Sequence, residues 1–224
     1  LADLEGIAVV RLIPLKCPQC GAKLKVAEDD VLTQCLHCRL ACELSGDSVY
    51  RLDQALVTVQ GQPDLRLPLW LLPCQAKASR MEARAVQSIF QSRPDIMTPR
   101  AKTNRETLKL PGRVLVAAFG TTNFINYTGN LSFELTNRLQ GEVSLSPADE
   151  GVDYRSCRYG RRDAQGMAEV LLTMMANRNS PEIVDLDLDI KWSQPRLLWW
   201  PFAGDGDCWR DMLFGQRLLR SALG

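Results

Sequence analysis

Cys17-Pro18-Gln19-Cys20 and Cys35-Leu36-His37-Cys38 decide how the first part of this chain folds. Fourteen residues separate the two pairs, giving the pattern C-x2-C-x14-C-x2-C. The turn inside each pair aims two sulfurs at one point, and folding the intervening segment back brings four thiolates into a tetrahedron. Gly21, directly after Cys20, supplies the backbone freedom that such a turn needs. Between the pairs, Lys23–Val26 and Val31–Gln34 read as short strands, with Glu28, Asp29 and Asp30 at their turn.

The spacing therefore predicts a metal centre with Cys17, Cys20, Cys35 and Cys38 as ligands. One zinc ion is the expected occupant, and iron in a rubredoxin-like centre is the alternative. Two C-x-x-C pairs that arose separately, as redox dithiols or by chance, are the other reading, which the spacing disfavours. With every position taken by protein, no site is left for water or substrate, so the expected role is structural. Cys42 is a spare thiol, and the ring of His37 would have to displace a better-placed sulfur, so neither is an expected ligand.

Residues 17 to 44, about an eighth of the chain, resemble a zinc ribbon. A looser similarity runs to functionally uncharacterised bacterial zinc-ribbon proteins, in which the ribbon precedes strands with aromatic Leu-Pro-Phe type motifs. The corresponding stretches here are Leu69-Trp70-Leu71-Leu72-Pro73-Cys74 and Leu197-Leu198-Trp199-Trp200-Pro201-Phe202. Cys74 stands where that pattern has Phe, and Arg39 where Gly commonly follows the last ligand. The resemblance implies a ribbon and brings no activity with it.

Outward from the ribbon, Ser48–Leu52 should continue its sheet or lead into the next domain, and a boundary is placed near residue 53. The expected organisation is a ribbon over residues 1–52 and an α+β domain of mixed sheet and helices over 53–224. The likeness of the two Leu/Trp/Pro stretches raises the alternative of two related halves within that domain. Ala55–Gln60, Leu67–Leu72 and Val114–Phe119 read as strands. Ser79–Glu82 fits a capping box, and Ala78, Met81, Ala85, Val86, Ile89 and Phe90 repeat at helical spacing up to Pro94. The stretch from Pro94 to Pro111 reads as an exposed loop. Leu131–Leu139 suits a helix or a strand, and Ser146-Pro147 suits a short helical turn. Asp163 is placed to cap a helix with Ala164, Met167, Ala168, Leu171, Met174 and Met175 on its apolar face. Ile183–Ile190 alternates as a half-buried strand, its Asp185, Asp187 and Asp189 on the solvated side. Asp207–Leu223 fits a helix through Trp209, Met212 and Leu213, or a hairpin turning at Gly215.

The 224 residues carry 27 Lys plus Arg against 26 Asp plus Glu, so no global field points to nucleic acid or to an acidic membrane. The densest apolar runs are far short of the ~20 residues of a membrane-spanning helix. Leu1–Leu15 lacks the pattern of a signal peptide, and a cytoplasmic location is the expectation. His37 is the sole histidine, and no phosphate loop, dinucleotide fingerprint or H-E-x-x-H is present, so enzyme activity is not expected. Cys74, Cys157 and Cys208 leave cysteine-dependent or redox chemistry as the minor alternative. The preferred reading is a non-catalytic adaptor or accessory subunit docking onto a larger protein complex, with Trp70, Trp199, Trp200 and Trp209 as docking residues at Pro-terminated strands. The alternative is nucleic-acid association through basic segments 77–113 and 155–162. The first of these carries nine basic residues against three acidic, whereas residues 1–52 carry six against seven.

Overall fold

Two sheets and two α-helices make up the described part of the computed structural model, which covers residues 15–26, 30–46, 48–81, 105–120, 129–139, 141–147, 157–178 and 186–223. The architecture is α+β, with a small strand region holding the cysteines followed by a larger sheet domain. The small sheet has the order β1 (Leu32–Gln34), β2 (Ala41–Ser45), β3 (Ser48–Arg51), all antiparallel. Ser48–Arg51 thus continues the ribbon sheet as expected. Lys23–Val26 does not form a strand: it makes one isolated bridge, Lys16 to Lys23, because β1 takes β2 as its partner instead.

The larger sheet is organised around β5 (Leu65–Met81), 17 residues long. On one edge it pairs with β10 (Arg196–Asp205) and then β9 (Leu186–Trp192). On the other it pairs with β7 (Arg113–Ala117) and then β6 (Arg105–Lys109). Beyond β10 lie β4 (Gln54–Val57), with β8 (Leu145–Ser146) outside it, and the hairpin of β11 (Cys208–Asp211) and β12 (Arg217–Leu219).

Side-chain alternation along the central strands fills two cores, one on each face. Trp70, Leu72, Val114, Val116, Leu197 and Trp199 face one cluster, and Leu67, Leu69, Leu115, Leu198, Trp200 and Phe202 the other. Helix α2 (Arg161–Asn177) covers the first face with Ala164, Ala168, Leu171, Leu172 and Met174, while Met167 and Met175 pack partly buried against it. The small sheet covers the same face with Leu32 and Ala41, joined by Leu52 just after β3. The second face takes Leu131 and Leu135 of helix α1 (Leu131–Arg138), together with Leu218 of the C-terminal hairpin.

Leu131–Leu139 is ambiguous in sequence because α1 seals a sheet edge rather than lying on one face. Ser132 Oγ accepts from the Ala117 N–H (3.0 Å) and Thr136 Oγ1 from the Leu115 N–H (2.9 Å), groups of β7 that, among the described residues, have no strand beside them. One helix face therefore carries leucines to one core, two hydroxyls to the strand edge, and Phe133 to the other core.

Several expectations are corrected. Ser79, Arg80 and Met81 belong to β5 and do not open a helix, because β6 and β9 supply ladder partners on both edges there. The rest of that expected helix, from Glu82 to Phe90, lies outside the described residues, as does most of the expected Pro94–Pro111 loop. Arg105–Lys109 within that loop is a strand. Ser146 pairs with Leu56 instead of beginning a helical turn, completing the outer edge of β4. For the C-terminal segment the hairpin alternative holds and the helix does not: β11 and β12 pair around a turn with Gly215 at φ +72°, and a further hairpin turns at Gly206-Asp207 between β10 and β11. Helix α2 starts at Arg161 with Gly160 as N-cap, and Asp163 takes the third position, its Oδ2 accepting from the Gly160 N–H at 3.0 Å.

The prolines do not terminate strands either. Pro73 and Pro201 lie inside β5 and β10, each where one neighbour ends and the next begins. The Pro73 carbonyl accepts from Ser193, in the gap between β9 and β10; the Pro201 carbonyl accepts from Met212, between β4 and β11. The missing N–H of each therefore falls at a seam, where no ladder bond is lost. The two Leu/Trp/Pro stretches lie side by side and antiparallel, Leu69 opposite Leu198 and Trp70 opposite Leu197. Their outer neighbours differ in sense: β7 is antiparallel to β5, while β4 is parallel to β10.

Candidate metal centre

The two knuckles repeat one backbone pattern. In the first, the Cys17 N–H donates to the Ala22 carbonyl (2.8 Å) and the Gly21 N–H to the Cys17 carbonyl (2.9 Å). In the second, the Cys35 N–H donates to Leu40 (2.9 Å) and the Arg39 N–H to Cys35 (2.8 Å). The residue after the second sulfur is left-handed in both, Gly21 at φ +74° and Arg39 at φ +59°. Arg39 is the sole non-glycine at positive φ among the described residues, a conformation that costs an L-residue about 1–2 kcal/mol. Leu24 and Leu40 are buried beside the sulfurs, and Cys42 fills the same small core.

All four predicted sulfurs come together. Cys17, Cys20, Cys35 and Cys38 place their Sγ atoms within 4.8 Å of one another, with Cys17 to Cys38 and Cys20 to Cys35 both 3.5 Å. A tetrahedron with metal–sulfur bonds of ~2.3 Å has edges of about 3.8 Å, inside the range that these sulfurs span. The cluster is positioned to hold a metal ion, and the donor set suits zinc. No other group of His, Cys, Asp or Glu among the described residues has such geometry. His37 is exposed within the second knuckle, outside the cluster.

The thiols are not equivalent. Burial opposes ionisation of Cys17, yet hydrogen bonds from the backbone at Cys20 and Gln19 and from the Cys38 thiol favour its thiolate and bring it down to about 6. Burial drives Cys38 up to about 12, reinforced by the neighbouring sulfurs. Cys42 is pushed to about 12 by burial and then by the charges of Cys17 and Cys35. One sulfur of the cluster is thus ready to ionise first, while the spare thiol beside it stays protonated.

The ribbon is tied to the sheet domain by polar contacts that its sequence does not announce. Glu43 of β2, only 9% exposed, accepts from the Arg161 N–H at 2.6 Å, on the first residue of α2, and pairs with the Arg161 guanidinium at 3.4 Å. The N–H groups of Val31 and Leu32 donate to the Cys157 carbonyl at 3.2 and 3.3 Å. The Arg39 carbonyl accepts from the side-chain amides of Gln34 and Gln54, both 2.8 Å, and Gln54 Oε1 accepts from Trp199 Nε1 at 3.0 Å.

Three of the four tryptophans expected at a docking surface are core residues. Trp70, Trp199 and Trp200 are at most 2% exposed, and each indole N–H is spoken for, by the Tyr159 carbonyl, Gln54 Oε1 and Asp211 Oδ1. Their strands are covered on both faces, which is why prolines inside them misread as strand ends. Of the basic segment 155–162, Arg158 and Arg162 are exposed, whereas Arg161 is committed to Glu43. No described helix is long and apolar enough to cross a membrane. The chain matches no protein-family model, no curated protein and no solved structure.

Proposed function

We propose that this is a non-catalytic zinc protein, in which Cys17, Cys20, Cys35 and Cys38 hold one structural zinc ion and the ribbon serves as the docking element of an accessory subunit. The observation that carries the metal assignment is the convergence of four sulfurs within 4.8 Å. Four protein thiolates complete the coordination of zinc, so the ion would act by fixing the two knuckles rather than by activating water. Cys74 and Cys157 are buried thiols whose surroundings disfavour the thiolate, and Cys208 is buried too, which supports a role without nucleophilic chemistry.

Support for docking rests on the ribbon's own surface. Leu36, between the sulfurs of the second knuckle, is 56% exposed, and Tyr50 of β3 is 51% exposed. The test is purification from the native source without added metal, with elemental analysis and mass spectrometry of what co-elutes. One zinc per chain and a stoichiometric protein partner that is lost in Leu36→Asp, with zinc retained, is the expected result. A metal-loaded monodisperse monomer without partner would refute the accessory role, and iron in place of zinc would refute the metal assignment.

A further inference from the structure

A cleft of about 530 Å³ lies between the second knuckle and the sheet domain, lined among others by Gln19, Cys38, Arg39, Arg51, Asp53 and Gln194. Its volume falls in the range of small-molecule sites. Among the described residues, neither the Arg39 nor the Arg51 guanidinium makes a hydrogen bond or an ion pair. The one carboxylate of the lining, Asp53, is answered by Arg196 Nε at 3.0 Å. Two arginines are therefore left without an ion-pair partner in a lining whose other polar side chains are amides and the Cys38 sulfur.

Arg39 is there against a local cost. It occupies the left-handed position that the first knuckle fills with Gly21, at φ +59° against +74°, and Gly would relieve the strain. Its carbonyl is clamped by the amides of Gln34 and Gln54, so the backbone that carries the guanidinium is fixed to β1 and β4. A strained residue whose backbone is held rigidly at the cleft, and whose charged end has no partner, is an arrangement suited to gripping a ligand.

We propose that this cleft binds a phosphate-bearing ligand of small-molecule size through Arg39 and Arg51. Guanidinium groups bind phosphate oxygens through paired N–H donors, and two arginines without ion-pair partners can receive the oxygens of one phosphate. Gln19 and Gln194 offer donors and acceptors to the rest of the molecule. A competing role for the two arginines is to offset the charge of the tetrathiolate centre, since Cys38 lines the same cleft.

The test uses the full chain loaded with zinc, titrated with inorganic phosphate and with a nucleoside monophosphate. Melting is followed against sodium chloride of equal ionic strength, and zinc is quantified in every sample so that loss of the ribbon cannot pass for loss of the cleft. Phosphate is expected to raise the melting temperature saturably, by several degrees at about a hundredfold excess over Kd. Arg39→Gly should melt no lower than the parent without phosphate, yet bind phosphate at least tenfold more weakly. Arg51→Gln should weaken binding similarly with unchanged zinc content. A response no larger than that to sodium chloride, or parental phosphate affinity in both variants, would overturn the proposal. Loss of zinc from the variants without any phosphate response would overturn it in favour of the charge-offset role.

Discussion

Replacing Glu43 with Gln tests whether the ribbon and α2 are held together by charge. The carboxylate accepts from the Arg161 N–H at 2.6 Å at the positive end of a 17-residue helix, where an anion is favoured by about 0.3–1 kcal/mol. A hydrogen bond to a charged acceptor is worth about 1.5–3 kcal/mol, against about 1 for a neutral one. The ion pair adds little, because the Arg161 side chain is 42% exposed and screened by water. Glu43→Gln keeps the shape and one acceptor oxygen but loses the charge, so a cost of about 1–2 kcal/mol is expected in urea unfolding with saturating zinc and an unchanged m value. Gly160→Ala supplies the cross-check: a Cβ there would lie 2.9 Å from Glu43 Oε1, while φ of −77° suits any residue. Alone it should destabilise by about 1 kcal/mol or more; in a Glu43→Ala background it should cost under ~0.5, or stabilise by reducing unfolded-state freedom. A Glu43→Gln variant within about 0.3 kcal/mol of the parent, or strict additivity of the Gly160 and Glu43 changes, would refute this account.

Cys20→Ser should lower metal content below one ion per chain, whereas Cys42→Ser should leave it intact, as read by elemental analysis; equal losses would make Cys42 a ligand. Because the ligands bind as thiolates, zinc retention should fall as pH is lowered, measured by competition with a chromophoric chelator. Asp211 is 1% exposed and accepts from Trp200 Nε1 at 2.6 Å and from the N–H groups of Leu213, Phe214 and Gln216, so Asp211→Ala should cost about 3 kcal/mol or more, with a shift in tryptophan emission; a loss under ~1 kcal/mol would contradict that. The hydrogen bond from Arg210 holds the Asp205 carboxyl below its usual range, so its stabilisation is complete above pH ~4 and is lost as pH falls through the lowered value. Amide shifts of Cys208–Asp211 should titrate there in the parent and not in Asp205→Asn.

The knuckles were legible because a metal site imposes its geometry over four residues at a time, and the spacing alone brings the sulfurs together. Val114–Ala117 and Leu186–Ile190 were legible as strands through their apolar runs and alternation, and α2 through its 3.6-residue apolar repeat. What stayed hidden depends on neighbours. Ala78–Met81 has a helical pattern, but strands on both edges hold it extended. Ser132 and Thr136 look like ordinary polar residues until β7 presents its unpaired edge. Glu43 and Arg161 lie 118 residues apart, and nothing local in either segment signals the pairing. Arg39 was visible only as a departure from glycine; its left-handed backbone and its place in the cleft give that departure a physical meaning.

The seam at Pro73 also divides labour along β5. Leu65–Leu71 is laddered to β10, and Cys74–Arg80 to β9, with no N–H at residue 73 to join the two ladders on that edge. Hydrogen-bond cooperativity is interrupted there, although the covalent strand runs through. The two ladders nevertheless share one core, since Ala76, Leu188 and Ile190 pack against the same cluster as Trp70. A single strand thus serves two neighbours in succession along one edge, and a proline marks where one hands over to the next.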